Sequence, residues 1–445
     1  MKKNIILGLS LVMSLTANAQ QTLTLQQVKE RAVAHNISMR TADNAILQAR
    51  EQKKEAFMNY FPQVSAVGLG LKSTTDMMKT KMKIADLLPP SLAAAIPSSI
   101  AAMLPSTLSF SAIDKGFVSG VSAVQPVFTG GQIVNGNKLA KVGVDVAELQ
   151  KHVSANTVEL TAEQYYWQII SLKEKQKTIN AVSDMLKNLE KDADAAVKAG
   201  VGMRNDLLQV QLKENELESN KLKLENGLKL ARMVLAQYIG AEGDLDVTAT
   251  IDPSVLPPYP TMKVDHKAAV TTTSEYQLLE KNVEATTLQR KMEEGKRLPT
   301  VGVGVGYNYY NLGSGMKNNF GTVFATVSIP ISQWWSGSHA IKRKKLAEEN
   351  ARQQLADNSQ LLAIRMQKNW NDVDDAYKQL VLAKKSIEQS EENLRLNRNF
   401  YHAGTVTMND LLDAQQKYQQ CHDKYTEAYA TLQTKIVEYE QSIGK

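Results

Sequence analysis

The chain has a single cysteine, Cys421, in 445 residues. That excludes an internal disulfide and a cysteine-rich zinc site. Past the N-terminus there is no clean run of about 18 apolar residues, so no transmembrane helix is expected. The nearest candidate, 84–104, is interrupted by Asp86, Pro89, Pro90 and Pro97. The histidines are His35, His152, His266, His339, His402 and His422. They never form His-Glu-x-x-His and show no recognisable hydrolase spacing, so no catalytic site, metal site or cofactor is expected. The formal charge is only +6, and Lys2 and Lys3 supply part of it. So small and diffuse an excess is no nucleic-acid footprint. Mean hydropathy of -0.30 argues against a polytopic helical membrane protein. What is present is a 43% share of hydrophobic residues, enough for a substantial core.

The N-terminus carries an export signal. Met1-Lys2-Lys3 is basic, Ile5 to Leu15 is apolar, and Ala17-Asn18-Ala19 is a cleavage pattern. Residues 1–19 are therefore read as a signal peptide, with the mature chain starting near Gln20. No cysteine follows the cut to take a lipid.

The mature chain repeats itself. Ala199-Gly200, Asp206-Leu207-Leu208 and Gln211 recur as Ala403-Gly404, Asp410-Leu411-Leu412 and Gln415, at one offset of about 204 residues. Pro126 and Pro330 keep that offset. Upstream, Phe61-Pro62-x-Val64 recurs as Leu298-Pro299-x-Val301 at an offset about 33 residues larger. The first copy thus carries an insertion after Pro62, where a surface loop is tolerated. Between Leu71 and Phe117 it contains Met77, Met78 and Met82. These read as flexible filler in an external loop rather than Cu(I) ligands.

Each half predicts the same elements. A helix comes first, over 25 to about 58 and 271 to about 297. A strand pair follows, over about 61–127 and 298–331. A very long helix then runs over about 132–198 and 339–402. After a Gly turn, a return helix covers about 205–238 and 409–443. The division is a first repeat over 20–240, a linker over 241–270 and a second repeat over 271–445. A helix of about 65 residues is roughly 100 Å long and needs a partner along its length. Val210, Leu217, Leu224, Ala231 and Tyr238 recur at every seventh residue, as do Leu411, Tyr418, Tyr425, Leu432 and Tyr439. That is a coiled-coil seam, read as an antiparallel hairpin in each half. Leu222, Leu228 and Leu235 lie off the first seam and suggest a second neighbour; a plain two-helix hairpin stays open. Cys421 falls on a seam-type position and reads as packing rather than as a reactive thiol.

Residues 301–309 alternate strictly, Val301, Val303, Val305, Tyr307 and Tyr309 against Gly302, Gly304, Gly306 and Asn308. Residues 322–329 alternate almost as well, and 64–71 and 117–124 are fainter copies. This period of two over about 10 residues fits transmembrane β-strands, with the glycines toward a lumen. Tyr307, Tyr309, Tyr310, Trp334 and Trp335 then sit at the lipid–water boundaries. A soluble antiparallel sheet with one dry face is the plainer alternative. About four strands cannot close a barrel alone, so the strands predict an oligomer that shares one.

Taken in order, these residues resemble the TolC-type outer membrane efflux family over essentially the whole mature length. The resemblance rests on Leu23-Thr24-Leu25 with Ala32 and Asn36, on Phe61-Pro62-Gln63-Val64, and above all on the duplicated Gly-x(5)-Asp-Leu-Leu tip. It implies a mainly α fold with a membrane β-barrel: a homotrimer in which each chain gives four strands to a twelve-stranded barrel. The long hairpins would continue it as a periplasmic α-barrel. The protein would be the outer-membrane exit duct of a tripartite efflux or type I secretion system in a Gram-negative bacterium. It would be passive and non-enzymatic, fed by an inner-membrane pump through a periplasmic adaptor, and embedded in outer-membrane lipid.

The resemblance also assigns residues. Asp410 and Asp413 match an acidic entrance ring, in which like charges would raise one another's pKa. They also read as ordinary helix-start aspartates. Asp206 and Tyr401 match positions that help hold the closed tip, but Val406 stands where a basic residue would complete the set. Gln209 stands where Asp413 does, so the halves are not equivalent. Ala199-Gly200-Val201 and Ala403-Gly404-Thr405 match adaptor-docking turns. The competing reading is a periplasm-spanning structural coiled coil with no pore.

Overall fold

A computed structural model of the chain describes residues 21–75, 77–83, 107–112, 115–312 and 316–445. The signal peptide expected at 1–19 and the proline-rich stretch 84–106 lie outside the described residues. In chain order the elements are β1 Gln21–Leu23, α1 Leu25–His35, α2 Ile37–Met58, β2 Gln63–Lys72, β3 Met78–Lys83, β4 Thr107–Ala112 and β5 Lys115–Thr129. Then come α3 Gln132–Lys198, α4 Arg204–Ile239, β6 Leu245–Val247, α5 His266–Ala269, α6 Ser274–Gly295, β7 Thr300–Asn311, β8 Lys317–Ser328, α7 Gln333–His402 and α8 Met408–Ser442. Backbone packing divides them into two units, each drawing on both halves of the sequence. One holds the chain up to Gln48, Asp145–Lys281 and Arg352–Lys445; the other holds Ala49–Val144 and Asn282–Ala351.

The second unit contains a four-stranded sheet in the order β2-β5-β7-β8. Every neighbouring pair is antiparallel. The β5–β7 pairing joins a strand of the first half to one of the second. β2 and β8 are left as edges, the liability that four strands predict. The register puts Val64, Val121, Val305 and Val323 on one face, since Val64 pairs with Ala123, Val121 with Tyr307 and Val305 with Val323. That apolar face is open: Val323 is 87% exposed and Tyr307 57%. On the other face a Cβ at Gly304 would lie 2.5 Å from the Phe324 ring, so glycine is what admits that ring from the next strand. The glycine run is therefore covered in part by side chains of β8. At Pro126, which has no N–H to give the ladder, the β5–β7 register shifts in a bulge. The insertion, read as a loop, contains a strand pair: β3 runs antiparallel to β4, with Met82 opposite Leu108.

In the first unit the opening helix, expected unbroken over 25–58, divides at Asn36. That residue is extended (φ -63°, ψ 140°). Its side chain accepts from the Ser38 N–H at 2.8 Å, ending one helix and starting the next. At the other end of α1, Thr24 and Gln27 form a capping box. The core of this unit is formed by Ile169 and Ile170 of α3, Leu235 of α4, Leu380 of α7, and Tyr425 and Tyr439 of α8. The heptad positions Val210, Leu217 and Ala231 are buried. Of the off-seam leucines, Leu228 and Leu235 are buried while Leu222 is exposed. Cys421 is half-buried and packs against this core.

The segment 241–270, expected as a linker, is fastened to the helices. β6 pairs in parallel with β1. Asp246 receives Lys173 at 2.8 Å and Arg232 at 2.9 Å. Burial alone would raise its pKa, but Lys173, the Val247 N–H and Arg232 outweigh burial and hold it below the usual range. The Tyr439 hydroxyl accepts from the Val264 N–H at 3.1 Å and lies 3.0 Å from His266 Nε2.

Candidate functional site

The two turns with the repeated tip motif are built alike. α3 ends as the Val201 and Gly202 N–H groups bond back to the Ala196 carbonyl at 3.0 and 2.9 Å, with Gly200 left-handed at φ 75°. α7 ends as the Thr405 N–H bonds to the Phe400 carbonyl at 2.9 Å, with Gly404 at φ 72°. A positive φ favours glycine, and a helix stop of this kind satisfies carbonyls that α-helix geometry leaves open. A Cβ at either glycine would meet nothing within 4 Å, so both turns present open backbone. Ala199, Val201, Ala403 and Thr405 flank them; Val201 is 83% exposed.

The return helices start differently. Thr407 caps α8: its hydroxyl accepts from the Asp410 N–H, and its own N–H donates to Asp410 Oδ2 at 2.9 Å. Hydrogen bonds from the Thr407 side chain and backbone hold Asp410 below the ordinary carboxylate range. The rise expected from a ring of like charges is therefore opposed within the chain by this cap. Asp413 is exposed one turn further on. α4 has Met203 at the same position, with no side-chain cap, so Asp206 has no Thr407 counterpart to bond. Asp206 lies instead near Tyr401, whose pKa is raised first by burial and then by the charges of Asp206 and Asp192. The structure thus brings Asp206 and Tyr401 together and engages Asp410 in a cap. Val406, half-buried, offers no charge to either.

A second core joins the hairpins near these turns. Leu186 and Leu189 of α3, Val210 of α4, and Met408, Leu411 and Leu412 of α8 are its centre. The repeated glutamines both reach α3. Gln211 donates to Glu190 at 2.9 Å, and buried Gln415 donates to the Val182 carbonyl at 3.2 Å. Their repetition marked them, but only the packing assigns them a bond. Beside this core a cleft of about 480 Å³ is lined by Leu189, Asp192, Arg398, His402, Leu411 and Tyr418. Among the described residues no cluster of side chains could hold a metal ion.

Solved structures with the same fold are outer membrane channels and related proteins. CusC, studied for transmembrane channel formation, superposes with a TM-score of 0.75 at 12% identity, covering 94% of this chain and 92% of its own. VceC, an outer membrane protein of Vibrio cholerae, gives 0.71 at 13% identity, with 94% and 96% covered. The Neisseria gonorrhoeae MtrE outer membrane channel in its open state gives 0.72 at 15%, with 94% and 88% covered. The fold is therefore that of these channels along nearly the whole chain. More particularly, residues 277–445 match the sequence model of the outer membrane efflux protein family. Together these findings bear out the TolC-type resemblance. No curated protein matches the chain significantly.

Proposed function

We propose that the protein is the outer-membrane exit duct of a tripartite efflux or type I secretion system. It sits in the outer membrane of a Gram-negative bacterium and extends into the periplasm. Three copies pool their four-stranded sheets into one twelve-stranded barrel. The long hairpins form a periplasmic α-barrel, and the duct performs no chemistry. The observation that carries this reading is the open sheet itself: four strands, two free edges and exposed valines and tyrosines along the face of Val64, Val121, Val305 and Val323, which lipid and further copies would cover.

The tip turns are the entrance. Asp410 and Asp413 of three copies ring the axis and favour cations, while Asp206 and Tyr401 belong to the contacts that hold the entrance closed. Ala199-Gly200-Val201 and Ala403-Gly404-Thr405 receive a periplasmic adaptor, and an inner-membrane pump supplies the energy. The open backbone at both glycines supports close approach by a partner helix.

Single-channel conductance in planar bilayers, with mass determined on the same sample, tests the reading. A trimer with a small, cation-preferring conductance is expected, and Asp410→Ala/Asp413→Ala should lower that preference several-fold. A monomer without conductance would leave the structural coiled coil as the reading.

A further inference from the structure

The four strands of the main sheet contain no Asp, Glu, Arg or His. Their only charged residues are three lysines: Lys72 ends β2, Lys115 begins β5 and Lys317 begins β8. All three stand at the same end of the sheet, because Lys72 pairs with Lys115, and Phe117, two residues on, pairs with Asn311, which pairs with Lys317. All three also fall on the same face. Strand parity puts Lys72 with Val64 and Ala66, Lys115 with Phe117 and Val121, and Lys317 with Val323 and Val327. That is the apolar face already described. Each lysine is exposed, and none has an ion pair among the described residues.

A random scatter of solubilising lysines would not select one end and one face. Lys72 and Lys115 are direct cross-strand partners, their Cα atoms about 5 Å apart. Like charges so placed repel one another unless an anion lies between them. Lys317 is roughly 12 Å away along the same rim, two strands across and two residues along. Beneath the rim on the same face come Phe117 beside Asn311 and then Ser119 beside Tyr309, and the valines follow from Val121, opposite Tyr307, to Val305 and Val323. β2 has 10 residues; at about 3.3 Å per residue and a tilt near 40°, it rises roughly 25 Å, the height of an outer-membrane apolar band. The lysines therefore stand where the acyl region gives way to headgroups.

We propose that this rim binds the anionic headgroup of a membrane amphiphile, a phosphorylated glycolipid of the outer leaflet, whose acyl chains lie on the valine face below. The inference rests on the reading of the sheet as a membrane barrel. A free phosphate would gain from the lysines alone. A lipid gains from the lysines and from the aromatic rings and valines further down the same face, and that combination selects it. In a trimer the rim recurs three times and forms a belt.

The full-length protein in nanodiscs with lipid A supplies the test, with retained lipid counted by native mass spectrometry. The wild type should retain bisphosphorylated lipid A in preference to its dephosphorylated form. K72Q/K115Q/K317Q should retain about tenfold less or lower still, since each lysine near an anionic surface contributes several-fold. K72R/K115R/K317R should retain lipid like the wild type, which separates charge from folding. Equal retention by the wild type and the glutamine variant, or no preference for phosphorylated lipid, overturns the proposal. Inorganic phosphate that displaces lipid A at equal concentration overturns the lipid as ligand. Conductance of the same samples keeps the two readings apart. If it persists while lipid selectivity is absent, the duct stands and the rim falls; if the wild type conducts nothing, the membrane sheet falls and takes the rim with it.

Discussion

At the scale of single residues, the side chains that cost the fold something are informative. Asp423 on α8 has its pKa pushed up to about 6, by burial first, with Lys175 pulling it back and Glu427 raising it again. Its Oδ1 is buried without a hydrogen-bond partner among the described residues. Between about pH 4 and 6 the folded chain therefore holds this proton more tightly than the unfolded chain does. Stability falls as pH rises through that window, and above it the buried charge is carried in full. Asp423→Asn should raise stability at pH 8 by about 1 kcal/mol after solvent screening, and with it the thermal midpoint, and leave both nearly unchanged at pH 4. Scanning calorimetry at both pH values checks this; an equal shift at each would assign the effect to packing. Asp423 could not be found from sequence, because one buried aspartate on a polar-patterned helix looks like any exposed one.

At the scale of elements, the two tip turns show how a duplicated motif takes on two local structures. Both helix stops keep the left-handed glycine, yet only α8 has a capping box, because Thr407 stands where Met203 does in the first copy. Thr407→Ala should loosen the first turn of α8 by about 1 kcal/mol. Hydrogen exchange of the N–H groups following Thr407 reads that change, and Thr407→Ser should restore protection. Asp410, released from the Thr407 hydroxyl, should titrate at higher pH in the alanine variant. The turns also make the docking idea testable. Because nothing lies near a Cβ at Gly200 or Gly404, Gly200→Trp and Gly404→Trp strain one residue without colliding with the fold. Both should abolish pump-dependent export while trimers persist on gels, and unchanged export would remove the docking role.

At the scale of the molecule, the sheet decides what assembly is possible. Its apolar face is exposed in the isolated chain, a condition that lipid relieves and water does not. Val323, 87% exposed at the middle of that face, is the sharpest probe. Val323→Arg should cost about 2–4 kcal/mol in a bilayer and deplete the outer-membrane fraction of the protein. Thr322→Arg, on the opposite face of the same strand, should be tolerated far better. Fractionation with immunoblotting distinguishes them, and equal depletion by both would favour a soluble sheet. The unpaired edges β2 and β8 belong to the same argument, since either another copy pairs them or they invite aggregation.

Much of this was legible in the residues alone, for definite reasons. Periodicity is a local property: the period of two in 301–309, the seven-residue seam of α4 and α8, and the glycines after α3 and α7 each state their backbone without outside help. So does duplication, which located the tips. The break at Asn36 does not show in the sequence, because an asparagine that bonds the Ser38 N–H looks there like any asparagine on a helix surface. The segment 241–270 read as a linker because its ties run to residues far along the chain, Lys173 and Tyr439 among them. Likewise, sequence could show that Val305 and Gly304 lie on opposite faces, but not that β5 lies beside β7, that Phe324 fills the space over Gly304, or that three lysines meet on one rim. Those are cross-strand pairings, decided only when separate strands take up a register; the local patterns specify only which face each residue brings to it.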